Sequence, residues 1–443
     1  MQLSKLSMNR SIILLLFALA SGGLAQDAAP LKLTLRDAVN LALKQSPQVI
    51  LANLGVARSE QERLMARSGL LPQAGADVSE IVHRLNVQAM LGLSFPGMPQ
   101  HVGPFETFQA GVSVNAPIFD LTLWERYRSS RLGVDANRAQ ETSAREDSVL
   151  LVVSQYLGGQ RAAADVAAAQ SRVDLAQALY NQAADLQKNG VGTGIDTLRA
   201  NVELQNEKQR LIVARTGLDT ALFGLTRLLN VDPLRRIELA DQVSYFETPP
   251  AAVNETLERA YATRPELRQI ALRQQQAEIA LRTAGDERLP RASFSGFWAQ
   301  LGLAPASVIP SYQYQFSLDV PIFTGGRIEA QRADAGLAIQ QLKQQEQDIR
   351  GRIALEVKTA IARLDAARGE VDVANQGVDL ARQEVEQARD RFQAGVTSNI
   401  EVIGAQDALA RANDNQIAAL YRYNQSRADL GHSAGQMEAL YAR

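Results

Sequence analysis

The sequence predicts a mainly α-helical chain with membrane-crossing β-strands, built from one unit used twice: a strand hairpin followed by a long helical hairpin. Three observations predict this class. Residues 312–320 alternate apolar and polar, with Tyr312, Tyr314, Phe316, Leu318 and Val320 interleaved with Gln313, Gln315, Ser317 and Asp319. The chain then passes through Pro321, Ile322, Phe323, Thr324, Gly325, Gly326 and Arg327 into an Ala- and Gln-rich, proline-free stretch, which reads as a strand entering a very long helix. The same event occurs earlier: Phe108, Ala110, Val112 and Val114 alternate, Pro117, Ile118, Phe119 and Asp120 follow, and another long helical pattern begins. Finally, landmarks recur at near-fixed offsets. Pro47 and Pro265, like Pro72 and Pro290, stand 218 residues apart (265 − 47). Pro117 and Pro321 stand 204 apart (321 − 117), and Gly190 and Gly395 stand 205 apart (395 − 190). The main change in offset falls inside the hairpin, where the first loop is longer than residues 304–310, and insertions belong in loops.

Bulk properties narrow the class further. The 443 residues carry 46 basic and 48 acidic side chains, mixed throughout, for a net charge of −2. No basic stripe is present, so nucleic acid is not an expected partner. Aromatic residues make up only 5%, and abundant alanine suits long helices packed in thin layers. There is no cysteine, which removes disulfides, thiol chemistry, cysteine-ligated metals and an acylated cysteine. Residues 1–25 read as a secretory signal: Lys5 and Arg10, an apolar run over 11–20, and a small-residue cleavage site at Gly23 and Ala25. That run is too short for a bilayer. No other segment is apolar enough for a transmembrane helix, so a membrane crossing would use strands.

In chain order, residues 26–72 hold the first repeat's N-terminal helices. Thr34 and Asp37 form a capping box, and Ser46-Pro47 starts a second helix running to about Ser68. Residues 73–119 form the first β-hairpin, with strands over Gln73–Leu93 and Phe105–Phe119 around a Gly/Pro/Met-rich loop at 94–104. Residues 120–230 form the first long helical hairpin. Its first helix, from about Leu123 to Lys188, would be roughly 100 Å long at 1.5 Å per residue. It turns at 189–194 and returns from about Ile195 to Asn230. Residues 231–252 read as an irregular connector ending in Thr248, Pro249 and Pro250. The second half repeats the plan: helices over 253–290, a hairpin over 291–323, a helical hairpin over 324–436 and a tail over 437–443.

Strands of about ten residues with one apolar face fit a barrel with lipid outside and water inside. An ordinary sandwich strand has the same alternation, but the export signal, the repetition and the attached helices favour the barrel. Four strands cannot enclose a water-filled lumen, so several chains must contribute. A solvated coiled-coil rod explains the helices but not the hairpins. A periplasmic coiled-coil adaptor would have one helical hairpin rather than two.

These residues carry a resemblance. The chain resembles the TolC-type outer-membrane efflux proteins over essentially its whole mature length. The likeness rests on the duplicated unit, on Pro117-Ile118-Phe119-Asp120 and Pro321-Ile322-Phe323-Thr324 entering long helices, and on the paired tips 190–196 and 395–401. It implies a homotrimer with a twelve-stranded β-barrel, four strands per chain, continued by a periplasmic α-helical barrel. It implies an outer-membrane channel of a tripartite efflux or type I secretion system, a passive duct that meets a periplasmic adaptor protein and an inner-membrane transporter. The family narrows its periplasmic end with acidic residues one helical turn apart. Here they fall on Glu401 and Gly404, so at most one acidic ring is kept. Glu401 would attract cations, although Ser398 with Glu401, and Thr193 with Asp196, also read as capping boxes. The family's tyrosine and arginine latch positions read Phe392 and Thr397, which lack the hydroxyl and the guanidinium. Apolar packing of Phe392 is the expected substitute. Gly190, Val191, Gly192, Thr193, Gly395, Val396, Thr397 and Ser398 would form the tips on which the adaptor packs. No enzyme and no cofactor are expected: His83, His101 and His432 are isolated, and Gly192-Thr193-Gly194 and Gly325-Gly326 lack a phosphate-loop lysine.

Overall fold

A computed structural model describes residues 30–442 except 93–96, 98, 242–244, 246–251, 395 and 398. The expected signal segment, 1–25, lies outside the described residues, as does Thr248-Pro249-Pro250. The first repeat runs β1 (Leu31–Leu33), α1 (Leu35–Gln45), α2 (Pro47–Ser68), β2 (Gln73–Asn86), α3 (Val87–Leu91), β3 (His101–Phe119), α4 (Leu121–Lys188) and α5 (Gly194–Leu228). The second runs β4 (Ile237–Leu239), α6 (Val253–Thr263), α7 (Pro265–Asp286), β5 (Arg291–Gly302), β6 (Ile309–Asp319), α8 (Arg327–Gln393), α9 (Asn399–Ser433) and α10 (Met437–Tyr441). The duplication holds at the helix ends. Shifting by 218 carries both ends of α1 onto α6 and of α2 onto α7, and shifting by 205 carries both ends of α5 onto α9.

Local chemistry explains where helices begin. The Thr34 hydroxyl oxygen accepts from the Asp37 amide at 3.1 Å, and the Asp37 carboxylate accepts from the Thr34 amide in return, so the capping box forms. Pro47 and Pro265 open α2 and α7, where a missing N–H costs nothing. Asp120 turns the chain from β3 into α4 by accepting from the Thr122 amide at 2.9 Å. The 68 residues of α4 span about 100 Å.

The strands form one antiparallel sheet in the order β2-β3-β5-β6. Within it Gln73 faces Asn115, Ala116 faces Phe294, and Arg291 faces Asp319. The joint between the two hairpins is tight at Gly111, where a Cβ would lie 2.3 Å from that of Ala299. One face is apolar and open: Tyr312, Tyr314, Phe316 and Leu318 are 64–75% exposed, next to Trp298 and Val112. The other face is polar, with Gln109 donating to Asp77 and Gln315 to Ser317. Below the sheet the helices form a wall. Its upper part is ordered α2-α4-α7-α8 and its lower part α5-α4-α9-α8.

The largest core lies midway along the wall, where α1, β1, β4 and α10 pack on α4 around Val39, Val152, Val153, Tyr156, Leu225 and Met437. The Tyr156 hydroxyl is shared between the Leu33 carbonyl at 2.9 Å and the Asp241 carboxylate at 3.0 Å.

Four expectations need correction. The 231–252 connector is not wholly irregular, because β4 pairs in parallel with β1. The 437–443 tail contains α10, whose first turn is held when Glu146 accepts from the Met437 amide at 2.6 Å and Arg145 grips Glu438. The first strand ends at Asn86 rather than near Leu93, because the Asn86 side chain caps α3 through the Ala89 amide. The four strands of the antiparallel sheet run from 11 to 19 residues rather than about ten.

Candidate functional site: the tips of the helical hairpins

The turns of the two helical hairpins share one backbone hydrogen bond at equivalent positions. After α4, Gly190 takes φ 74°, a left-handed conformation that suits glycine, and the Val191 and Gly192 amides donate to the Leu186 carbonyl at 3.0 Å. After α8, the Val396 amide donates to the Arg391 carbonyl at 3.0 Å. Each turn presents a bare valine at its apex: Val191 is 79% exposed and Val396 69%. Gly192 packs closely on Leu186. Gly395 and Ser398 lie outside the described residues, and with Ser398 goes the capping box expected there.

The capping box expected at Thr193 does not form. Thr193 is the N-cap of α5, but its hydroxyl makes no bond to a helix amide. It donates instead to the Asp196 carboxylate at 2.5 Å. Asp196 also lies 4.0 Å from Arg199, so its charge stays partly open to solvent.

Glu401 is more tightly held. Arg391 places a guanidinium nitrogen 2.9 Å from one carboxylate oxygen, and the Thr397 hydroxyl donates to the other. Thr397 therefore lacks a guanidinium, yet one arrives from the other strand of the turn. Arg391 and Glu401 each lie five residues from Val396, and an antiparallel turn brings such positions together. Nothing local to Arg391 marks this pairing in the sequence, because it depends on how the turn folds back. Gly404, at the second acidic position, is exposed and brings no carboxylate.

Phe392 joins the two hairpins. It packs on the α8–α9 cluster of Val385, Ala388, Val402 and Ala405. It also lines a cavity of about 150 Å³ with Leu179, Ala183, Leu186, Val191 and Asp196 from the other tip. Further up the wall, Arg172 on α4 reaches both Glu207 on α5 at 3.2 Å and Asp414 on α9 at 2.9 Å. Close by, burial pushes the Glu203 carboxyl above its usual range, helped by the charges of Asp407 and Glu207. Sequence reading missed this polar level, because nothing in one helix shows which charges a second helix will face.

The histidines do not converge. His83 bonds Thr107 at 3.0 Å and His432 bonds Asp147 at 2.8 Å. Among the described residues no group of His, Asp and Glu is arranged to hold a metal ion. No described helix is long and apolar enough to cross a membrane.

Comparison with known proteins agrees with this architecture. The family model described as "Outer membrane efflux protein" matches residues 38–231 and 256–436, one stretch per repeat. The alkaline protease secretion protein AprF of Pseudomonas aeruginosa is 24% identical over 94% of this chain and 86% of its own length. Among solved structures, the Campylobacter jejuni CmeC outer membrane channel superposes with a TM-score of 0.79 at 18% identity, covering 91% of this chain and 85% of that one. VceC of Vibrio cholerae gives 0.75 at 16% identity over 90% and 96%. The open state of Neisseria gonorrhoeae MtrE gives 0.74 at 18% over 90% and 88%. These likenesses show the fold. The chain belongs to the outer membrane efflux protein family, and is an outer-membrane channel, extending into the periplasm, of a tripartite efflux or type I secretion system.

Proposed function

We propose that three copies of this chain close their sheets into one twelve-stranded barrel, continued by a periplasmic α-helical barrel, to make a passive export duct. The observation that carries this reading is that the chain is unfinished along both lateral edges. In the sheet, β2 and β6 are the open strands, and open edges invite further pairing. In the wall, α2 and α5 lie at one end and α8 at the other. Apolar side chains line both ends. On α5, Leu198, Val202, Ile212 and Phe223 are 60–66% exposed, and on α8, Val373 and Leu380 are 71% and 66% exposed. Ring closure covers these residues and satisfies both strand edges, while the tyrosines and phenylalanine of β6 face lipid.

In this arrangement the tips form the periplasmic entrance. Glu401, Asp196, Phe392 and Thr397 make its constriction. Gly190, Val191, Gly192, Thr193, Gly395, Val396, Thr397 and Ser398 form the surface that receives a periplasmic adaptor, which couples the duct to an inner-membrane transporter. Phe392, seated between the two hairpins, takes the part of a polar latch. The likeness to AprF along most of this chain favours a secretion duct with polypeptide cargo.

Native mass spectrometry of the detergent-extracted protein tests the assembly. The expected result is three copies that separate on heating. A soluble periplasmic monomer would overturn it.

A further inference from the structure

We propose that the groove between α4 and α7 holds the headgroup of an aminophospholipid from the periplasmic leaflet, with the phosphate on arginines and the ammonium on carboxylates beneath them. The proposal rests on the reading that the apolar sheet face meets lipid, and it adds a lipid-selective site beside that face.

The groove lies at the level of the headgroups. β3 ends at Phe119 and α4 starts at Leu121, so the open apolar surface of β3 stops at Ile118 and Phe119, 58% and 51% exposed. Trp124 stands in the first turn of α4, half-exposed beside Tyr127. Amphipathic rings of this kind sit at the membrane–water interface. Arg128 and Arg131 follow about 10 and 15 Å below the start of α4. Their side chains lean toward the helix N-terminus, which is the sheet end. α7 runs the other way and ends at Asp286. Arg282 therefore starts about 6 Å below that end and leans down to meet them. The headgroup layer is roughly 5–8 Å deep on each side of a bilayer, and these tilts bring three guanidiniums to its lower edge.

The groove also lies on the outer face of the wall. Steps of seven residues, close to two helical turns, lead from Trp124 through Arg131 and Arg138 to Arg145 and Val152. Arg145 grips Glu438 of α10, and Val152 packs in one core with Val39 of α1. Elements that would block a lumen must sit outside it, so this face of α4 points away from the tunnel. α4 and α7 are the inner pair of the upper wall, so ring closure at α2 and α8 leaves their groove uncovered.

Its charges are ordered. Arg128, Arg131, Arg282, Glu278 and Asp135 line a cavity of about 300 Å³ over the buried Ile279. The buried Glu125 steadies the arginine level, 3.0 Å from Arg128 and 4.0 Å from Arg282. Among the described residues, Arg131 and Glu278 have no ion-pair partner. Asp135 follows Arg131 by four residues and Glu278 precedes Arg282 by four. On both helices the acid therefore lies about 6 Å further from the sheet than the cation. Asp135 is shared with Arg138 at 3.1 Å, which leaves Glu278 as the open acid. In phosphatidylethanolamine the phosphate adjoins the glycerol and the ammonium lies beyond it, away from the hydrocarbon. The groove offers the opposite sign at each level, with guanidiniums suited to phosphate oxygens. A purely anionic headgroup would satisfy the arginines but leave Glu278 without a counter-ion.

Native mass spectrometry of trimers exchanged into mixed phosphatidylethanolamine and phosphatidylglycerol tests the site. The expected result is retention of phosphatidylethanolamine in preference to phosphatidylglycerol. Arg131→Gln should weaken retention of both lipids, by roughly two- to fivefold for one exposed charge. Glu278→Gln should remove the preference and keep phosphatidylglycerol bound. Trimers that retain the two lipids equally, or an Arg131→Gln trimer that holds phosphatidylethanolamine as tightly as the parent, would overturn the site. Fluorescence separates this failure from that of the membrane reading, because the chain has two tryptophans. In Trp298→Phe, lipids brominated near the headgroup should quench Trp124. In Trp124→Phe, lipids brominated deeper should quench Trp298 on the sheet face. Quenching of Trp298 without Trp124 overturns the groove alone, and quenching of neither overturns the lipid-facing sheet as well.

Discussion

In the proposed duct, the charge of Glu401 at the entrance is set by a residue across the turn. Arg391 and Thr397 occupy its two oxygens, so each copy offers a matched pair at this level rather than a bare carboxylate. An exposed pair of this kind contributes roughly 0.2–1 kcal/mol to stability, so its main effect is on the local potential. Removing the acid alone leaves Arg391 unmatched. Glu401→Gln should therefore lower the cation preference of the pore, read as a shift in reversal potential across a salt gradient. An unchanged reversal potential would remove Glu401 from selectivity. At this scale the sequence was only partly legible. It showed the loss of the hydroxyl at Phe392 and of the second acid at Gly404. It did not show the guanidinium of Arg391, because the pairing depends on how the turn folds back.

Elements were more legible where they are long. Proline-free alanine-rich runs gave α4 and α8, and period-2 alternation gave β6, because those patterns persist over many residues. The three-residue strands β1 and β4 have no period to read and exist because the core beneath them requires their backbone groups. Tyr156 ties them down. Burial raises its hydroxyl well above the ordinary tyrosine range, so the folded form keeps the proton that the unfolded chain loses near pH 10. The sign follows: this stabilisation is complete below about pH 10 and fades as pH rises through the folded value. Thermal melting should be level from neutral pH to about pH 9 and fall steeply above pH 10. Tyr156→Phe should cost about 1–3 kcal/mol at neutral pH, by leaving Asp241 and the Leu33 carbonyl short of a donor. It should also soften the alkaline fall. Part of that fall should survive, because burial raises Tyr441 as well. A melting curve with the same alkaline slope in both proteins would contradict this role.

The whole molecule follows from one economy: a unit that cannot finish its own sheet is copied once within the chain, and the proposed duct completes it with further chains. The internal joint between β3 and β5 shows that two units pair edge to edge, and the free edges β2 and β6 repeat the same problem at the outside. A rod would not need a sheet with one apolar face, and an adaptor would not need two helical hairpins, so membership of the outer membrane efflux protein family accounts for features that both alternatives leave over. The central claim is that the closed assembly conducts, with tips tied together through Phe392. Single-channel recording of the purified trimer in a planar bilayer tests it most directly, with Phe392→Ala alongside. The account expects discrete cation-preferring steps that become larger or longer-lived in Phe392→Ala, whereas correctly assembled trimers that pass no current in either form would contradict it.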